Sequence, residues 1–237
     1  MSEPAFDDPD LPPAAARLSG ARAARVRDAA TLILVRRDRA GPRVLMGRRH
    51  GGHDFMPGKW VFPGGRIDRA DFRAPFATDL RPEVAARLER TAPTPRARAL
   101  ALAAIRETFE EAGLLLARPA PARPAAGPWR EFLGQGALPD LAALDFVARA
   151  VTPPSLPKRF DARFFMASAD RLMSLERQGD CGELDEIAWF DLGEAAALDL
   201  PTVTRFVLGE IPARLADPAR PVPSLKFSRG RQRLVHL

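Results

Sequence analysis

Three glutamates are spaced so that a helix would bring them together. Glu107, Glu110 and Glu111 stand at positions i, i+3 and i+4 of the segment 106–114, and such positions share one face of a helix. Carboxylates gathered in this way repel each other unless a cation lies among them, and Mg²⁺ takes carboxylate oxygens as ligands. A solvated acidic surface has the same spacing, although the helix dipole disfavours negative charge near a helix C-terminus. On this segment alone, both interpretations stay open.

The surrounding sequence predicts the elements that position these glutamates. Residues 96–112 are rich in alanine, with apolar residues at helical spacing, and Gly113 marks the helix C-terminus. Apolar runs bounded by Gly, Pro and Asp predict strands elsewhere, and strands and helices alternate along the whole chain. The fold class is therefore α/β or α+β. The predicted strands are 29–36, 43–48, 60–62, 114–116, 160–166 and 187–190; the other predicted helices are 82–90, 192–198 and 202–216.

Length and composition describe an ordinary globular chain. The 237 residues are 46% hydrophobic and 28% charged, which excludes a fully disordered chain, and no apolar run approaches the ~20 residues of a membrane span. We expect a flexible arm over 1–27 and a single domain over 28–237. The single cysteine excludes an intrachain disulfide. Because the N-terminus is acidic and lacks a secretory pattern, we expect a cytoplasmic location.

The glutamate segment is part of a longer pattern. Residues 106–114 read Arg-Glu-Thr-Phe-Glu-Glu-Ala-Gly-Leu, and a Pro-Gly-Gly turn that ends at Gly65 stands upstream. The two parts resemble the halves of the Nudix hydrolase box, with Asp71 at the position of the first glutamate of the family. Forty residues separate Gly65 from Arg106, about 27 more than in the family pattern. We interpret the excess as an insertion at about 72–95, because surface loops tolerate added length.

The resemblance implies a fold and a set of roles. The fold would be an α-β-α sandwich around a mixed central sheet. The activity would be cleavage of a nucleoside diphosphate linked to another moiety, with Mg²⁺ or Mn²⁺ and an attacking water. Glu107, Glu110 and Glu111 would be the metal ligands, and Arg106 would orient them by charge-assisted hydrogen bonds. The resemblance also implies a general base that is either a later acid or one of the box glutamates; among the later acids Glu186 is our candidate and Glu183 the alternative.

The upstream stretch resembles one branch of the family. Within residues 44–65, Leu45, Arg49, Gly58 and Phe62 match in register the motif of enzymes that act on coenzyme A and its acyl esters. A site for coenzyme A needs cations for the 3′-phosphate and the diphosphate, although arginines are also the background in this chain. Gly64 and Gly65 would turn the backbone tightly. The candidate substrate-binding residues are Arg48, Arg49, Lys59, Gly64, Gly65 and Arg66, and His50 and His53 are further candidates for a phosphate contact.

The expected reaction is hydrolysis of coenzyme A or acyl-CoA to 3′,5′-ADP and (acyl-)phosphopantetheine. Hydrolysis of ADP-ribose, an NDP-sugar or another nucleotide, and a non-catalytic nucleotide-sensing module, are the alternatives; the three retained glutamates favour an enzyme. We expect the insertion to cover the non-nucleotide arm of the substrate. The net charge of +6 raises nucleic acid as a partner, but no basic stripe interleaved with aromatic residues supports it. We expect a small nucleotide partner and no membrane, and leave a homodimer open.

Overall fold

A mixed sheet forms the centre of the molecule. The computed structural model describes residues 24–52, 57–154, 156–177, 184–228 and 231–237. The strands are β1 (Val26–Asp38), β2 (Gly41–Arg49), β3 (Trp60–Val61), β4 (Gly64–Arg66), β5 (Ala117–Pro119), β6 (Ala137–Pro139), β7 (Asp145–Val151), β8 (Arg159–Ser168), β9 (Leu184–Asp191), β10 (Pro223–Ser228) and β11 (Arg231–His236). Within these residues the sheet order is β11-β10-β7-β8-β1-β2-β3, with β4 on β1 and β9 on β2, while β5 and β6 pair separately. Because β1–β8 and β7–β10 are parallel and the other pairs antiparallel, the predicted mixed sheet is confirmed.

Helices cover both faces of the sheet. They are α1 (Pro82–Glu89), α2 (Thr94–Ala112), α3 (Arg130–Gly134), α4 (Leu192–Ala197) and α5 (Thr202–Ala216). Side chains alternate along a strand, so Leu32 and Leu34 of β1 pack on the side of α2 while Ile33 and Val35 pack on the side of α4 and α5. The predicted α-β-α sandwich is confirmed. Among the described residues, no helix has the length and apolar character that crossing a membrane requires.

Several elements differ from the sequence-based predictions. Residues 114–116 form no strand: these three leucines are buried in the core, where an irregular segment satisfies the same apolar pattern. The Pro-Gly-Gly turn is instead the start of β4, whose Gly65 pairs with Ala30 of β1. Strands β5, β6, β7, β10 and β11 and helix α3 were not predicted from the sequence.

The inserted residues 72–95 are an integral part of the domain. Val84 and Leu88 of α1 are buried in the same core cluster as α2. Arg81, just before α1, donates a hydrogen bond to the carbonyl oxygen of Ala142 at 2.7 Å. Burying a leucine stabilises a fold by about 1.5–3 kcal/mol, so we expect removal of the insertion to destabilise the whole domain.

Asp140 ties the insertion to the segment that follows α2. Its carboxylate is buried and accepts hydrogen bonds from the Thr78 hydroxyl, from Arg171 Nη2 at 2.6 Å and from Arg118 Nε at 3.2 Å. Burial works against the charged carboxylate, but the hydrogen bonds from Thr78, Arg171 and Arg118 outweigh it and hold the pKa of Asp140 below its ordinary value. Asp140 is therefore charged in the folded protein at neutral pH.

Candidate active site

Helix α2 carries the acidic residues and is buried along most of its length. Its alanines favour the helix because they lose no side-chain entropy, and Leu102 and Ile105 pack into the core. The helix ends at Gly113, which has a φ of 67° and donates its N–H to the Phe109 carbonyl oxygen at 2.8 Å. Glycine tolerates this left-handed conformation better than other residues. The predicted helix is confirmed, with its start at Thr94 instead of residue 96.

Arg106 lies between the two halves of the interrupted motif. It is 4% exposed, and its Nη1 atom lies 2.8 Å from Glu107 Oε1 and 2.8 Å from Glu110 Oε2. Its Nη2 atom donates a hydrogen bond to the carbonyl oxygen of Arg66 at 3.0 Å. The guanidinium of Arg106 therefore joins β4, which contains Gly65 and Arg66, to the last turns of α2. An orienting role requires this geometry.

Asp71 holds Arg106 from the other side. Its carboxylate accepts hydrogen bonds from Arg106 Nε at 2.9 Å and Nη2 at 3.1 Å, from the Trp129 indole N–H at 3.0 Å and from the Asp68 backbone N–H at 2.7 Å. The residue is fully buried, at 0% exposure. Because both oxygens are occupied by protein donors, Asp71 anchors Arg106 in this arrangement.

The positive charge on Arg106 is stabilised by the neighbouring carboxylates. Burial disfavours the charged guanidinium, but the hydrogen bond to Asp71 and the charges of Glu107, Asp71 and Glu110 outweigh it and raise the pKa of Arg106 above its ordinary value. Arg106 therefore stays protonated and offsets the repulsion between the Glu107 and Glu110 carboxylates.

Gly64 and Gly65 are required by close packing. A Cβ atom at Gly65 would lie 2.4 Å from Glu107 Oε2, and one at Gly64 would lie 2.5 Å from the Ala30 carbonyl oxygen. The Gly64 N–H also donates a hydrogen bond to Glu111 Oε2 at 2.9 Å. Neither glycine has a positive φ, so the predicted tight turn is wrong; the space between β4, β1 and α2 admits no side chain at these positions.

The donor chemistry of α2 fits a hard divalent cation. Glu107, Glu110 and Glu111 offer only carboxylate oxygens, the type that Mg²⁺ and Mn²⁺ prefer. In the described part of the chain, however, no three acidic, histidine or cysteine side chains are gathered closely enough to hold a metal ion. Since Arg106 Nη1 lies against both Glu107 and Glu110, these carboxylates would have to turn toward a metal. The metal set stays a prediction.

Two contacts near α2 were not predicted. Trp129 follows the Pro-rich residues 118–128, is buried, and packs edge-on against Phe132 with ring centroids 5.2 Å apart; the i, i+3 aromatic spacing was the available signal. Arg177 Nε donates to the Ala112 carbonyl oxygen at 3.1 Å, so a cation lies at the helix C-terminus, where the dipole favours it.

Beside the glutamates, a cavity of about 380 Å³ is lined by Glu110, Gly127, Pro128, Arg130 and Glu131.

The predicted substrate-binding arginines and lysine do not lie in a single group. Arg48 lies 3.6 Å from Glu186, and Lys59 pairs with Asp199 at 2.6 Å. Arg66 lines a different cavity, at the start of β1. Arg49 is half-buried at the end of β2. The structure therefore places Arg48, Arg49 and Lys59 on adjacent backbone, where the Arg49 N–H donates to the Lys59 carbonyl oxygen at 3.0 Å, and Arg66 in a separate cavity.

The candidate general base lies on a different face of the sheet from α2. Glu186 of β9 is paired in register with Arg48 of β2. By strand alternation it shares a face with Phe190, which packs on the side of α4 and α5, whereas Trp189 packs on the side of α2. Its role stays a prediction. Glu183 and His53 lie outside the described residues, and exposed His50 lies 3.8 Å from Asp185.

Comparisons with known proteins agree with this arrangement. No family model matches the chain. A solved structure described as a NUDIX hydrolase from Alicyclobacillus acidocaldarius is 29% identical, has a TM-score of 0.59, and is matched over 78% of this chain and 90% of its own. The human acyl-coenzyme A diphosphatase NUDT19 is 30% identical in an alignment that covers 53% of this chain and 48% of the relative. The chain is therefore similar to Nudix hydrolases in both sequence and fold.

The split motif, which resembles a Nudix box, is closed in space. Its glycine half ends near Asp71 and its glutamate half begins at Arg106, and the hydrogen bonds between these two residues join the halves across the insertion. The chicken acyl-coenzyme A diphosphatase NUDT19 is 29% identical in an alignment that covers 52% of this chain and 47% of the relative. The chain thus spans about half the length of the curated relatives it matches.

Proposed function

We propose that this Nudix protein is a metal-dependent hydrolase that cleaves the diphosphate linkage of coenzyme A or acyl-CoA. The products would be 3′,5′-ADP and (acyl-)phosphopantetheine. The observation that carries the catalytic part is the pairing of Asp71 with Arg106, which restores a complete box despite the insertion. A module that only senses nucleotides would have no need to keep Glu107 and Glu110 oriented by a buried arginine.

The substrate class is supported by two similarities. The curated relatives at 29–30% identity are acyl-coenzyme A diphosphatases. The upstream residues Leu45, Arg49, Gly58 and Phe62 match the coenzyme A branch in register.

Glu107, Glu110 and Glu111 would hold Mg²⁺ or Mn²⁺. When bound, such an ion neutralises the charge of the diphosphate and activates water. The chain itself contributes orientation: Arg106 restrains Glu107 and Glu110, while the Gly64 N–H restrains Glu111. Because these restraints come from buried groups, the carboxylates are positioned before the substrate arrives.

The general base is the part of the proposal that depends on the resemblance alone. Glu186 is the candidate, and exchange to glutamine removes its basicity with little change in size. If Glu186→Gln lowers kcat about 100-fold or more, within the range of general base catalysis, the assignment is supported. If kcat is unchanged, Glu186 is rejected, and Glu183 or a glutamate of the box takes this role.

The experiment is a hydrolysis assay with Mg²⁺ or Mn²⁺ on coenzyme A, acetyl-CoA, ADP-ribose and NADH. The wild-type protein is compared with Glu110→Gln and with Glu176→Gln, an exposed glutamate far along the chain from the box. We expect 3′,5′-ADP from the first two substrates, loss of turnover in Glu110→Gln and with EDTA, and normal turnover in Glu176→Gln.

The other outcomes are equally clear. Release of AMP from ADP-ribose or NADH, without turnover of coenzyme A, would support the hydrolase activity and reject coenzyme A as the substrate. No turnover of any substrate with either metal, together with tight nucleotide binding, would identify a sensing module. Turnover that Glu110→Gln retains would reject the box as the catalytic centre.

A further inference from the structure

The two ends of the insertion meet at one pocket. Phe72 is the first inserted residue and Arg96 the first residue after the insertion. Both line a cavity of about 250 Å³ with Arg27, Asp28, Arg66 and Ile67. The residues come from β1, β4, the turn after β4 and the first turn of α2, so elements on both sides of the insertion build the pocket.

The pocket carries an excess of positive charge. Three guanidinium groups line it with a single carboxylate, Asp28, whose oxygens lie 3.5 Å from Arg96 Nε and 3.2 Å from Nη1 of the buried Arg163. The side chains of Arg27 and Arg66 make no hydrogen bond or ion pair with another described residue. Like charges held together are unfavourable unless an anion lies among them, so the pocket is suited to an anionic ligand.

The residue types indicate which anion would bind. Guanidinium groups match the geometry of phosphate and carboxylate oxygens, and Arg is favoured wherever phosphate is recognised. Phe72 is 50% exposed, and an exposed aromatic ring beside cations suits a ligand with a flat ring next to its phosphate. These features together favour a phosphorylated nucleoside over a simple carboxylate.

The pocket adjoins the candidate active site. Arg66 directly follows Gly65, at which a Cβ atom would touch Glu107 Oε2, and consecutive Cα atoms are about 3.8 Å apart. The carbonyl oxygen of Arg66 also accepts the hydrogen bond from Arg106. One substrate molecule can therefore place one group at the box and another in the pocket.

We propose that this pocket binds a phosphomonoester of the nucleotide substrate, separate from the diphosphate that is cleaved. The inference rests on the proposed function, because the 3′-phosphate of coenzyme A is such a group. It assigns Arg27, Arg66 and Arg96 to substrate binding, and it gives the ends of the insertion a role in recognising the nucleotide part of the substrate.

The test compares coenzyme A with 3′-dephospho-coenzyme A on Arg66→Ala and Arg96→Ala. We expect the KM for coenzyme A to rise about tenfold or more, as for the loss of one charge-assisted contact, with kcat nearly unchanged. The KM for the dephospho compound should stay at the wild-type value. Arg90→Ala is the matched control, because Arg90 is an exposed arginine of the insertion outside the pocket. Equal changes in KM on both substrates, or no change, would overturn the proposal.

A binding experiment separates this inference from the proposed function. Titration calorimetry measures the Kd of adenosine 3′,5′-bisphosphate and of AMP, and no turnover is needed. Tighter binding of the bisphosphate, lost in Arg66→Ala and Arg96→Ala, would support the pocket even if the wild-type protein hydrolysed neither form of coenzyme A. Equal Kd values for the two nucleotides in the wild-type protein would overturn it.

Discussion

Replacing Asp71 by asparagine should break the link between the two halves of the Nudix box without changing the size of the side chain. Asp71 Oδ1 accepts from Arg106 Nε and the Trp129 indole, and Oδ2 accepts from Arg106 Nη2 and the Asp68 N–H. An asparagine has one acceptor oxygen. Whichever way its amide is turned, the NH₂ group faces two donors that were hydrogen-bonded before.

The size of the effect follows from burial. Asp71 is 0% and Arg106 4% exposed, and removing one partner of a buried ion pair costs about 3–5 kcal/mol. Because Arg106 keeps its ion pairs with Glu107 and Glu110, we expect a loss of unfolding free energy at the lower end of this range, about 3 kcal/mol. For a chain of this length each kcal/mol lowers Tm by about 2–4 °C, so Tm should fall by about 6–12 °C.

The assay is thermal and urea unfolding of Asp71→Asn beside Asp79→Asn. Asp79 also accepts hydrogen bonds from one arginine, Arg98, through Nε at 2.9 and 3.0 Å and through Nη2 at 2.5 Å, but both side chains are 42% exposed. An exposed pair contributes about 0–1 kcal/mol, so the control should lose less than about 4 °C. If the two variants unfold at the same temperature, Asp71 does not anchor Arg106 and our explanation of the closed box is wrong.

Three further predictions follow from particular positions. Gly65→Ala should displace Glu107 and lower kcat by about 100-fold, as misplacement by an ångström does, with a circular dichroism spectrum like that of the wild type; unchanged kcat would contradict the close packing. Gly209→Ala, where a Cβ would meet nothing within 4 Å, should stabilise α5 by up to about 1 kcal/mol, measured by urea unfolding; destabilisation would contradict this. Because the pKa of Asp140 is lowered in the fold, its stabilisation is present above the unfolded pKa of about 3.9 and is lost as pH falls below it. Asp140→Asn should therefore be less stable than the wild type at pH 7, with a difference that narrows toward pH 2; a constant difference would exclude this linkage.

Much of the site was predictable because its signals are local. The spacing of Glu107, Glu110 and Glu111 and the glycine after them define a helix and its end over a few turns. The burial of 29–36 followed from its continuous apolar character, since β1 packs on both faces. The predictions failed where apolar runs are ambiguous, as at 114–116, where buried leucines satisfied the pattern without a strand.

The sequence by itself determined the superfamily motif, the helix that carries the glutamates, and the presence of an insertion. Only the tertiary structure decided how the insertion is used. Asp71 and Arg106 are 35 residues apart, and their contact depends on how the short 3-10 helix Arg69–Phe72 packs against α2. The same folding brings Phe72 and Arg96 to one pocket and directs Lys59 to Asp199. Local spacing encodes hydrogen bonds within one helix, whereas partners from distant segments are selected by the packing of the whole core.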